Sequence, residues 1–293
     1  MAAPLLAVDA PFVLYRSFFA VPDSVRGVDG HPVNALLGAT NALLRIIADT
    51  APRAVVICLG AEQADYRVEL YPGYHAQRPP MPDALAWQFE RAPELFAALG
   101  WGIANSPELE ADDLLGAFAR LEEAAGGETL ILTGDRDMYQ CVNERTRVLY
   151  LKQGSSGFET VDAAEVERRY GIPPALVPDF IALRGDPSDG LPGAPGVGEK
   201  TAAALLRRHG SLDALLAAVD SGDAGERPRI AAALREHADS LRAYREIALL
   251  RTPEVSRPAD AATNLVAGAT AADALGMGAL AGRLEAATSL ADL

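Results

Sequence analysis

The sequence predicts an α/β domain built on a parallel sheet, followed by a small all-helical domain. Short apolar runs carry the first half of this reading: LLAVDA (5–10), AVVICLG (54–60), TLILTGD (129–135) and VLYL (148–151). Helix-like segments lie between them, such as NALLGATNALLRIIAD (34–49) and DDLLGAFARLEEAAG (112–126). Strands of this length alternating with helices are the pattern of a parallel sheet. From about Asp162 the character changes to short helices with tight turns, and no β pattern returns. The length, 293 residues, is ample for two such units.

Each element has a local reason. YPGYHAQRPPMPDA (71–84) is too rich in Pro and Gly for a regular element, so an irregular arch is expected near 70–90, over the rim of the sheet. AAEVERRYG, PALVPDFIALRG and TAAALLRRHGSLDALLAAV each combine helical spacing with a glycine stop. A helical hairpin is placed near 174–210, and 227–250 reads as a longer amphipathic helix or a helix pair. The Ala-rich tail after Asn264 is helical. The expected division is 1–161 and 162–293.

The bulk numbers exclude some functions. Hydrophobic content of 49% with 23% charged residues describes an ordinary globular chain. No apolar run reaches the roughly 18–20 residues of a membrane span. The start, MAAPLLAVDAPF, has no basic n-region and carries Asp9 within its apolar stretch, so it reads as a first strand and suggests the cytoplasm; a monomer is expected. Cys58 and Cys141 are the two cysteines, both in apolar settings that suit small buried hydrophobes. A formal charge of −14 argues against a nonspecific nucleic-acid coat. It leaves room for a nucleic-acid enzyme whose carboxylates hold cations that reverse the local sign.

The placement of the acids is more telling. Ligands of open parallel sheets collect at the carboxyl ends of strands. Asp9 ends the first run, Asp135 ends the third, and Asp137 follows. Glu110 and Asp113, three apart, share a face at the start of a helix, with Asp112 beside them. Asp186 and Asp189 flank the turn GDPSDG. Each group has an ordinary explanation: acids in a first helical turn meet the helix dipole, Asp-Pro-Ser-Asp-Gly is turn chemistry, and Asp135-Arg-Asp137 suits an internal ion pair. Asp9 resists this, because a carboxylate inside Leu-Ala-Val-Asp-Ala is partly buried and needs a partner. The only lysines are Lys152 and Lys200. Several carboxylates without basic partners suit hard divalent cations, Mg²⁺ or Mn²⁺. Two ions would activate water and stabilise a leaving oxygen in phosphodiester hydrolysis, which points to a nuclease.

AVDAPFVLYRSFFA (7–20), DYRVELYPGYHAQRPPMPDAL (65–85), ELEADDLLGAFA (108–119), LTGDRDMYQ (132–140) and GDPSDGLPGAPGVGEKTAAALL (185–206) together resemble the bacterial 5′→3′ exonuclease and flap endonuclease family, which includes the nuclease domain of DNA polymerase I. The resemblance spans roughly residues 5 to 255, with no polymerase segment. It implies a PIN-like catalytic domain, then a helix–three-turn–helix DNA-binding domain. It implies that Asp9, Glu110, Asp112, Asp113, Asp135 and Asp137 form the metal cluster, completed by Asp186 and Asp189. Arg16, Arg78 and His75 would face phosphates, and Tyr74 would stack on an unpaired base or pack within its loop. DNA with 5′ ends, flaps, nicks or gaps is the implied partner, RNA-primed ends included, in replication and repair.

Two positions depart from the family pattern. An acid is expected after the second strand, where this chain has Leu59-Gly60-Ala61, and His75 stands where a lysine is usual. They leave open a weakened or inactive branched-DNA-binding relative. His75 would meet phosphate only when protonated, favouring lower pH, or would be an exposed loop residue. GAPGVGEKT (193–201) imitates a P-loop, but Glu199 separates Gly198 from Lys200 and no strand precedes it. Gly193, Gly196 and Gly198 instead allow close approach to a DNA phosphate at a helix start, with Lys200 beside it. The resemblance adds a K⁺ ion between this turn and the phosphate.

Overall fold

A computed structural model describes residues 3–151, 157–222 and 225–291. Lys152 lies outside them. The first part runs β1 (Leu5–Asp9), α1 (Ala10–Ala20), α2 (Asn34–Thr50), β2 (Ala54–Leu59), α3 (Asp65–Leu70), α4 (Asp83–Ala98), β3 (Gly102–Asn105), α5 (Ala111–Ala124), β4 (Thr129–Thr133), β5 (Thr146–Leu151) and β6 (Phe158–Val161). Helices alone follow: α6 (Ala163–Tyr170), α7 (Val177–Arg184), α8 (Glu199–His209), α9 (Leu212–Ser221), α10 (Pro228–Glu236), α11 (Ala238–Ala248), α12 (Leu265–Ala274) and α13 (Gly278–Ala291). The 227–250 segment is thus a helix pair, and the Ala-rich tail forms two helices.

The strand order is β3-β2-β1-β4-β5-β6. All neighbours pair in parallel except β6, which runs antiparallel to β5 on the edge. β1, β2 and β4 are buried along their whole lengths, which is why they read as unbroken apolar runs. β3 and β6 escape the sequence reading for the opposite reason. Each is a four-residue edge strand, and GIAN is largely exposed, so neither shows an apolar run.

Alternation along β1 divides the core. Leu5 and Ala7 face a cluster that continues through α5 into α7, α8, α9 and α11. Leu6 and Val8 face α1, α2, α4 and the α12–α13 pair. One apolar cluster therefore runs without a break from sheet to helical region. Among the described residues, no helix is long and apolar enough to cross a membrane.

The chain returning from α11 is stapled to the amino-terminal rim of the sheet by Glu122. This carboxylate is 1% exposed and accepts from Arg53 Nη2 at 2.5 Å and Arg257 Nη2 at 2.8 Å. Burial alone would raise its pKa, but the Arg257 and Arg53 hydrogen bonds outweigh burial and lower it. The stabilisation is therefore present above the ordinary value of 4.5 and is lost as pH falls through the lower folded value. Glu122→Ala, which removes one partner of Arg53 while Asp260 and the Pro258 carbonyl, each at 2.8 Å, remain, is expected to lower stability by about 2 kcal/mol. Thermal melts of parent and variant should draw together as the pH falls below 4.5 and through the lower folded value.

Candidate functional site

β1 is flanked by β2 on one side and β4 on the other, so their carboxyl ends open a crevice where the chain order reverses. A cavity of about 920 Å³ lies there. Asp9, Glu110, Asp112, Asp135, Asp186 and Asp189 all line it. Acids from four separate stretches of sequence thus meet in one cleft.

Asp9 is the last residue of β1 and caps α1. Its Oδ1 accepts the Phe12 N–H at 3.0 Å, and its Oδ2 accepts the Thr133 hydroxyl at 2.6 Å. Burial nevertheless raises its pKa. Asp112 sits in the first turn of α5, and burial followed by repulsion from Asp135 and Asp9 pushes its carboxyl well up. Asp135 follows β4 and accepts the Asp137 N–H at 2.8 Å. Burial and then the nearby Asp189 raise it to about 7. Asp137, just behind the lining, is raised by burial and then by Asp135.

Asp186 and Asp189 arrive on the turn between α7 and α8. Asp186 and Leu191 exchange backbone hydrogen bonds at 2.8 Å, which closes the turn. Gly185 takes a φ of 83° there, and a Cβ would lie 2.6 Å from the Leu191 carbonyl oxygen. The turn docks on the 73–78 loop: the His75 N–H donates to the Asp189 carbonyl at 3.1 Å, and His75 Nε2 lies 3.1 Å from Asp189 Oδ1. Arg78 approaches the same carboxylate oxygen at 3.2 Å.

Several expectations need correction. The acids are not uniformly without basic partners. Glu110 pairs with Arg67 at 2.9 Å, and Asp113, fully buried outside the cavity lining, lies 3.6 Å from the same guanidinium. Asp113 also accepts the Arg251 N–H at 2.6 Å, and Asp186 pairs with Arg184 at 3.0 Å. Counting lysines overlooked these arginines. Asp9, Asp112, Asp135 and Asp137 make no ion pair among the described residues.

Tyr74 is 1% exposed, its hydroxyl 3.0 Å from Glu110 Oε2, so it packs in its loop and offers no face to a base. His75 is neither exposed nor extended toward phosphate. It is buried with a φ of 53°, its ring stacked on Tyr74 and its Nε2 turned to Asp189. Arg16 is half-buried on α1 and does not line the cavity. Gly193 is buried, and a Cβ there would sit 2.4 Å from the Gly185 nitrogen, so it serves chain packing and not an anion. Gly196 and Gly198 do face open space ahead of α8, with Lys200 exposed in its first turn.

Gly60 has a structural reason. A Cβ there would lie 2.5 Å from the Leu109 carbonyl oxygen and 2.6 Å from the Ala111 nitrogen, because the end of β2 abuts the start of α5. Sequence reasoning also missed Glu62, which lines the cavity and interacts with Tyr15. Its signal was available, an acid within three residues of the β2 end.

Among the described residues, no three His, Cys, Asp or Glu side chains form a ready-made coordination shell. The donors share a cleft and not a point. Their chemistry nonetheless fits divalent cations: hard oxygens, buried, mutually repelling and in four cases without a paired cation.

Residues 4–171 match the 5′–3′ exonuclease N-terminal resolvase-like domain, and residues 172–264 match the 5′–3′ exonuclease C-terminal SAM fold. The chain belongs to the 5′–3′ exonuclease family. Its members are hydrolytic nucleases. It is 41% identical over 240 residues to a 5′–3′ exonuclease of Mycobacterium tuberculosis, covering 75% of each chain. It is 36% identical over 258 residues to DNA polymerase I of Mycobacterium bovis, covering 86% of this chain and 28% of that one. The fold is also that of the bacteriophage T5 D15 flap endonuclease, solved in a complex with DNA and metal ions. That structure has a TM-score of 0.67 at 16% identity, over 99% of this chain and 100% of the other.

Two outcomes follow from the cleft. Asp135 titrates above its unfolded value, so the metal-free protein is expected to lose stability as pH rises from about 4 through about 7. Mn²⁺ should restore it at high pH while releasing protons near neutrality, read by calorimetry in buffers of different ionisation enthalpy. Gly60→Asp should lower the melting temperature without tightening Mn²⁺ binding, since the new side chain has no room beside Leu109 and Ala111.

Proposed function

We propose that this chain is a metal-dependent 5′ nuclease that cuts DNA at flaps, nicks, gaps and 5′ ends, RNA-primed ends included. The observation that carries this is the 185–200 segment. Asp186 and Asp189 line the acidic cavity, and the same segment ends in the open-faced Gly196, Gly198 and Lys200 at the start of α8. A grip on duplex backbone and a site of hydrolysis are thereby joined by a few residues of chain.

Asp9, Asp112, Asp135 and Asp137 would hold Mg²⁺ or Mn²⁺ on the sheet side, with Glu110 beside them in the lining and Asp113 behind. Asp186 and Asp189 would serve a second ion from the α7–α8 turn. Bound there, two divalent ions supply an activated water and charge neutralisation for in-line phosphodiester hydrolysis. The chain's own residues orient that chemistry. Thr133 and the Phe12 N–H hold the Asp9 carboxylate by both oxygens, and the Asp137 N–H holds Asp135. Arg78, with a side chain 47% exposed at the rim, would be the cation that meets the scissile phosphate. The Gly196–Lys200 turn would contact duplex phosphates without reading sequence, with K⁺ as an added bridge. The working division stays at 161/162, and the protein is taken as a cytoplasmic monomer acting in replication and repair.

His75 favours a second reading. Held by Asp189, it offers the cleft no extended cation, as a branched-DNA-binding relative without catalysis would have it. Incubation with 5′-flap, nicked and single-stranded DNA in Mg²⁺ or Mn²⁺ separates the two. Metal-dependent short 5′ products from the parent, reduced at least a hundredfold in Asp135→Ala, are expected; flap binding without products in both would favour the second reading.

A further inference from the structure

Arg67, on α3, is 4% exposed, and every nitrogen of its guanidinium is engaged. Nε donates to the Tyr66 hydroxyl at 2.9 Å and Nη1 to the Tyr74 hydroxyl at 2.9 Å. Nη1 also lies 2.9 Å from Glu110 Oε2, and Nη2 lies 3.6 Å from Asp113 Oδ2. Tyr74 closes a triangle by donating to Glu110, and Glu110 Oε1 accepts the Ala64 N–H at 3.0 Å. The first turns of α3 and α5 are thus locked together.

Burial works against the Arg67 charge, yet the acids around it hold it fully protonated. Glu110 and Asp113 both turn to this one cation, as residues three apart on a helix can. Asp112, between them in sequence, lines the cavity as Glu110 does, while Asp113 does not reach it. On the other flank, Gly60 presses against the Leu109–Ala111 backbone and closes off any slack.

We infer that Arg67 is a positioning residue for the cation site: its fork holds Glu110 and Asp113 so that Asp112 presents its carboxylate to the cleft. This rests on reading the cleft as a divalent-cation site. A planar fork can bridge Tyr66, Tyr74 and two carboxylates at once, whereas a lysine ammonium supplies the same charge from a single point. Charge alone therefore does not replace it. Groups that orient metal ligands from behind are worth about ten- to a hundredfold in metal affinity or activity.

The test measures Mn²⁺ binding to DNA-free protein by calorimetry, beside kcat and KM for 5′-flap cleavage. Arg67→Lys is expected to weaken Mn²⁺ binding about tenfold or more and to lower kcat by a similar factor, with KM for DNA unchanged. Tyr66→Phe removes the hydroxyl that meets Nε and the Arg251 side chain, and Tyr66 lies outside the cavity lining. It should fold normally and shift Mn²⁺ affinity in the same direction, by roughly two- to fivefold. A folded Arg67→Lys with parental Mn²⁺ affinity and kcat overturns the inference. Should Arg67→Lys give no cooperative melt, parental values in Tyr66→Phe overturn it. A parent that binds Mn²⁺ without cutting DNA overturns the nuclease reading alone; a parent that binds no Mn²⁺ overturns both.

Discussion

Like charges forced together out of water are the condition on which the rest of this structure depends. Asp9, Asp112, Asp135 and Asp137 sit where burial and mutual repulsion both oppose ionisation, and each is pushed upward accordingly. A fold keeps such an arrangement only when its framework is rigid. Here the rigidity comes from three fully buried parallel strands, of which β1 and β4 lead into Asp9 and Asp135, and from short hydrogen bonds such as Thr133 to Asp9. The surrounding arginines divide the problem. Arg67 and Arg184 neutralise acids at the margins and leave the central four to a counter-charge from solution.

Much of this was legible because the same physics acts on sequence and structure. A strand buried on both faces must be apolar throughout, so β1, β2 and β4 announce themselves, and an acid at the end of one stands out. The edge strands β3 and β6 carry no such obligation and stay silent. Spacing alone also placed Glu110 and Asp113 on a common face. What that face meets was not legible, because Arg67 comes from a helix more than forty residues earlier, and contact between distant segments leaves no local pattern. The P-loop imitation was correctly set aside, but the individual roles of its glycines depend on neighbours. Gly193 packs against Gly185, whereas Gly196 and Gly198 open outward.

Tyr74 and His75 show the limit of reasoning from residue type. An aromatic and a histidine in a Pro- and Gly-rich loop suggest exposed contacts. Both are interior groups here, because the 73–78 loop is pinned by the α7–α8 turn and folds inward upon it. The left-handed backbone at His75 is part of that arrangement, and a φ of 53° at a non-glycine residue persists only where its surroundings impose it. The Gly60 substitution has a similar meaning. What looks like a missing acid marks a backbone contact that fixes the start of α5.

The chain that leaves the sheet after β6 is fastened to it again at several points, the Arg257–Glu122 pair among them. Its acidic turn is tied to the 73–78 loop through Asp189, and its return path is tied to α5 where the Arg251 N–H meets Asp113. A segment held at both ends cannot tilt freely against its base. The protein therefore behaves as a caliper with its jaws locked, one jaw the head of α8 and the other bearing the acids. The distance between the two jaws is then set by the gauge itself, and loosening a fastening should widen the spread of that distance before it unfolds either jaw.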